Sequence, residues 1–114
     1  MDKLQQAIEF SDFQASLNVQ RKFLREKFDA DITIGKNGGI FKIDADLINF
    51  TKLLLDLGKQ SSVLLDHNKN PIFIEDLKSF NSEIIDRYFS ALGSYHAGYE
   101  EIKRARTKKN LAEL

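Results

Sequence analysis

The stretch ITIGKNGGIFKI, residues 32–43, decides how the chain is read. Its three glycines and internal lysine suit two incompatible structures: a loop that wraps a phosphate, or a tight turn between strands. A phosphate loop needs a glycine, four residues, then Gly-Lys followed by Ser or Thr and a helix. Here Lys36 precedes Gly38 and Gly39, no Ser or Thr follows, and an apolar alternation comes next. The three spaced glycines of a dinucleotide-binding turn are missing as well. With Asn37-Gly38 as a two-residue turn, Ile34 lies opposite Phe41 and Ile32 opposite Ile43 on one face, while Thr33 and Lys42 share the other. Asn-Gly is the favoured pair for a type I′ turn, in which both residues take positive φ. The alternation closes without a mismatch. The stretch predicts a β-hairpin.

Upstream, Asp2 followed by Gln5 resembles a capping box, and Leu4, Ile8, Phe13, Leu17, Leu24 and Phe28 recur at roughly helical spacing. These features predict a long first helix over residues 3–28. Phe10 and Phe23 fall outside that stripe and either widen it or form a second one. Downstream, Asp44 or Asp46 caps a second helix carrying Leu47, Phe50, Leu54 and Leu57, which Gly58 stops. It is the most apolar element and is expected at the centre of the fold.

Residues 62–75, SVLLDHNKNPIFIE, repeat the hairpin design, with Pro71 suited to a strand start because it has no N–H to donate. Asp76 then precedes a third helix whose stripe runs Leu77, Phe80, Ile84, Tyr88, Leu92, Tyr95, Tyr99, Ile102. Gly93 and Gly98 interrupt it and mark a kink or a close contact. IFKIDADLINF (40–50) and IFIEDLKSF (72–80) are alike, which suggests a duplicated strand-strand-helix unit. The expectation is therefore one α+β domain over residues 1–114, of order long helix, β-hairpin, helix, β-hairpin, long helix (αββαββα). The hairpins should pair or stack as a small antiparallel sheet covered by helices, with the end of the chain, from about residue 104 to 114, frayed.

Lys plus Arg and Asp plus Glu both number 17, so no net field draws in nucleic acid or an anionic membrane. The absence of cysteine excludes disulfides and thiolate chemistry. The longest apolar run, Leu53-Leu54-Leu55, cannot span a bilayer. These features predict a protein of the cytoplasm without membrane contact.

Residues 66–77 carry Asp or Asn at the first, third and fifth positions, as a calcium loop does. Pro71 and Leu77 replace its sixth-position glycine and twelfth-position glutamate, so an Asx-rich turn is the better reading. His67 and His96 lack further ligands at metal spacing, although Glu100 follows His96 by one helical turn. No enzyme signature, cofactor motif or metal site is expected. The run KRARTKKN, with Lys103, Arg104, Arg106, Lys108 and Lys109, is a candidate nucleic-acid contact. Residues 77–114 nonetheless hold seven basic against five acidic residues and no aromatics interleave the run, so a solvated helix end is favoured. Tyr88, Tyr95 and Tyr99 on the third helix, with Phe10 and Phe13 on the first, are candidate anchors of a homo-oligomeric interface, with a dimer favoured.

The segments MDKLQQAIEF, the NGG-IF hairpin and LLDHNKNPIFIEDLKSF resemble small proteins of large contractile-tailed bacteriophages, particularly marine ones. The resemblance implies no catalytic residues. It implies a phage product made in the host cytoplasm, either a virion component or an assembly accessory with other phage assembly proteins as partners.

Overall fold

A computed structural model describes residues 2–112, and the side chains as far as Thr107. The order is α1 (Lys3–Asp31), β1 (Thr33–Lys36), β2 (Gly39–Lys42), α2 (Ala45–Asp56), β3 (Ser62–Leu65), β4 (Pro71–Ile74) and α3 (Leu77–Ala112). This is the α+β arrangement that the sequence predicts.

Local chemistry sets each boundary. Asp2 accepts the Gln5 N–H at 2.7 Å and Asp44 accepts the Leu47 N–H at 2.8 Å, filling orphan donors in the first turns of α1 and α2. Asp76 accepts the Ser79 N–H at 3.0 Å and does the same for α3. Helix α2 ends in a Schellman motif: Gly58 takes φ of +82°, its N–H reaches the Leu55 carbonyl, and the Lys59 N–H reaches Leu54. Asn37 and Gly38 both lie in the left-handed region, at φ of 51° and 83°, as a type I′ turn requires. Ile34 pairs with Phe41 and Thr33 with Lys42, the predicted register.

The sequence leaves open whether the hairpins pair into one sheet or stack, and in the structure they do not pair. They remain two separate two-stranded sheets, β1-β2 and β3-β4. The reason lies at Ile40, whose N–H is taken by the Asp66 carboxylate and whose carbonyl accepts the His67 N–H at 2.7 Å. A turn, rather than a strand, occupies the edge of β2. Asn37 adds a second tie by donating to the Phe73 carbonyl at 2.9 Å.

The inner faces of the hairpins, Ile34 and Phe41 with Leu64, Ile72 and Ile74, pack on Leu77, Phe80 and Ile84 of α3. Phe41 and Phe80 meet edge to face at 5.3 Å. Helix α2 is not central. Only Thr51 is buried in it, where the Asn81 amide of α3 donates to the Thr51 hydroxyl and to the Ile48 carbonyl. The two hairpin-helix units are also less alike than their sequences: Phe41 is buried, whereas Phe73, its counterpart by sequence, is exposed. Both phenylalanines stand three residues before the capping aspartate, but the last inward residue is Ile43, directly before Asp44, in the first unit and Ile74, one residue removed from Asp76, in the second, which turns Phe73 outward.

Beyond this head, α1 runs back along α3 in antiparallel. Phe28 meets the Tyr95 ring edge-on at 4.9 Å, and one turn further Leu24 covers Gly98. The result is elongated, 69 × 23 × 15 Å. Its radius of gyration of 20.8 Å compares with about 13 Å for a compact chain of this length.

Candidate interaction surface

Shape and composition together leave apolar side chains in solvent. The chain exposes 8248 Å² of accessible surface, where a compact monomer of 13.1 kDa exposes roughly 6,400 Å². The difference exceeds the ~800 Å² that each partner of an ordinary complex buries. The exposed apolar side chains fall into stripes.

On α1, at 100° per residue, Phe13, Leu17, Leu24 and Phe28 fall within an arc of about 60° that faces α3. Leu4, Ile8, Val19 and Phe23 fall within a second arc of about 100° on the opposite side. All four are more than half exposed, from 52% at Ile8 to 70% at Leu4. Of the widened stripe and the second stripe that the sequence allows, the helix has the second, because the five-residue step from Ile8 to Phe13 carries the pattern around the helix. Phe23 belongs to the second stripe.

The head carries two further apolar surfaces. Helix α2 turns Leu47, Ile48, Leu54 and Leu55 toward the core and Phe50, Leu53 and Leu57 to solvent. On β3-β4, Val63 and Phe73 form an exposed cross-strand pair beside Leu65.

The anchors named from sequence separate into two groups. Tyr88 packs half-buried on the core and Tyr95 on Phe28, so both work inside the chain. Phe13 is half-buried on the α3 side of α1. Tyr99 and Phe10 remain at the surface. The sequence stripe of α3 contains all three tyrosines, and only the antiparallel placement of α1 decides which are covered. The α1 stripe that the fold leaves uncovered was legible in part, through the position of Phe23 off the main stripe.

The basic run has a different geometry. Lys103, Arg104 and Arg106 are exposed, but they spread over about 160° of the helix circumference and form no single basic face. The side chains of Lys108 and Lys109 lie outside the described residues. His96 approaches Glu100 at 3.6 Å on an exposed surface, and His67 lies in the second turn. Among the described residues no group of three or more His, Cys, Asp or Glu side chains is placed to hold a metal ion. No described helix is long and apolar enough to cross a membrane.

Among the described residues the one buried carboxylate is Asp66. Its oxygens accept the N–H groups of Ile40, Asn68 and Asn70 at 3.0, 3.0 and 2.8 Å. The hydrogen bond from Ile40 is the largest cause holding its pKa below the usual carboxylate value, against the opposing effect of burial. This side chain is committed to the backbone, which explains why the calcium-like spacing of residues 66–77 has a structural origin.

No protein family matches the chain, and neither a curated protein nor a solved structure is similar to it.

Proposed function

We propose that this chain is a non-enzymatic structural or assembly protein that works through a protein–protein contact with further copies of itself. The observation that carries this reading is the set of exposed apolar side chains, arranged in stripes along an elongated two-helix stalk and over the head. Isolated exposed hydrophobic residues are ordinary, whereas contiguous apolar faces of this extent mark interaction sites. A net charge of zero adds no repulsion between copies. The resemblance to phage proteins supports a virion or its assembly as the setting.

The test is the solution mass of the full-length protein, by light scattering behind size exclusion at moderate salt. A defined dimer or larger closed assembly is expected. A monomer over a wide concentration range would sink the proposal.

A further inference from the structure

Resting on that reading, we infer that the self-contact is made by the outer stripe of α1, with a second copy laid antiparallel along it. Leu4 of one chain then meets Phe23 of the partner subunit, and Ile8 meets Val19 of the partner subunit. The four positions carry this arrangement themselves. Leu4 with Phe23, and Ile8 with Val19, are both centred between residues 13 and 14. A two-fold axis at that point sets each of these four apolar positions against another, as an isologous interface requires. The stripe runs over the 20 residues from Leu4 to Phe23, about 28 Å of helix.

The stalk distinguishes antiparallel from parallel packing. With Leu24 level with Gly98, the described end of α3 at Ala112 lies level with about residue 10 of α1. Leu4 and Ile8 thus project beyond the described part of α3, and no described helix of their own chain lies beside them. In a parallel pair these projections would cover only each other. In the antiparallel pair each lies against the half of α1 that α3 backs, and the two heads point to opposite ends. Asp12 lies within the same arc close to the axis, facing its own copy, so Asp12→Ala tightens the pair.

The chain has no cysteine, so single cysteines report directly on this geometry. Full-length Ile8→Cys and Val19→Cys chains with different tags are refolded together, oxidised and run without reductant, and the mass of each variant is taken by light scattering. The expected result is a dimer mass for both, with a disulfide-linked band that contains both tags and is absent from either variant alone. Linkage of Ile8→Cys to itself would show parallel packing and overturn the inference. A dimer without any linkage would overturn the stripe assignment while leaving self-association standing. A monomer, whether alone or holding a different protein on the stripe, would overturn both.

Discussion

Asp66 Oδ2 accepts the Ile40 N–H across 26 residues of sequence at 3.0 Å, and this bond replaces the ladder hydrogen bond that would otherwise merge the two hairpins. The same carboxylate holds its own turn through the N–H groups of Asn68 and Asn70. One side chain therefore organises the second hairpin and docks the first against it. Asparagine offers one acceptor oxygen and puts an NH₂ group against the remaining donors, so Asp66→Asn should lower the melting temperature at neutral pH.

The pH dependence follows from the direction of the Asp66 shift. Its folded pKa is lowered, so its contribution is fully present above the unfolded value of about 4 and is lost as pH falls through the folded value. Wild-type stability should decline over that acid range, and the gap between wild type and Asp66→Asn should narrow there. Thermal melts of both proteins from neutral pH down to strong acid check this. A gap that stays constant would show that the carboxylate charge contributes nothing.

Gly39 is a second point of closure between the hairpins. A Cβ built there would lie 2.6 Å from Ile72 Cγ1, 2.9 Å from Ile72 Cδ1 and 3.3 Å from Asp66 Cβ. Ile72 is buried and Asp66 is fixed by its three backbone bonds, so neither neighbour yields easily. Gly39→Ala should destabilise by about 1–3 kcal/mol in denaturant unfolding. Gly38, next to it, needs its positive φ rather than its small size, since nothing lies within 4 Å of a Cβ there.

Tyr95 and Tyr99 are one helical turn apart and should respond differently to truncation. Tyr95→Ala removes the edge-to-face contact with Phe28 that holds α1 to α3, at a cost of about 1–2 kcal/mol. Tyr99, with half of its surface exposed, should change monomer stability by less than about 0.5 kcal/mol when replaced by alanine. Urea melts at low protein concentration separate the two. Equal effects would mean that Tyr99 is held by contacts of the same weight as those of Tyr95.

What was legible in the sequence is what local chemistry encodes. Asn37-Gly38 fixes its own turn and thereby the register of four strand pairs, and Asp2, Asp44 and Asp76 mark helix starts through side-chain hydrogen bonds three residues long. What was not legible depends on which distant element arrives at a face. The separation of the hairpins turns on an Asp66–Ile40 bond that no periodicity announces. The outward position of α2 turns on Asn81, which draws Thr51 and Ile48 inward and leaves Phe50 and Leu53 outside. The uncovered stripe of α1 becomes visible only when α3 is seen to take the other side. Its composition is apolar on both sides, and sequence alone does not rank them.

The two glycines of α3 give the sharpest contrast, because one is open and the other is closed. A Cβ at Gly93 would meet nothing within 4 Å, so Gly93→Ala should return most of the backbone entropy that glycine loses in a helix, about 0.5–1 kcal/mol. At Gly98 a Cβ would lie 2.5 Å from Leu24 Cδ1 and 3.4 Å from Leu24 Cδ2. The obstacle is the far end of a leucine side chain, which can rotate, but rotation moves Leu24 off the seam between α1 and α3. The same helix-propensity gain is therefore offset by lost packing, and Gly98→Ala should be neutral or destabilising. Denaturant unfolding of both variants decides the matter. Equal stabilisation by the two alanines would mean that Leu24 gives way freely and that the close approach at Gly98 does not set the spacing of the stalk.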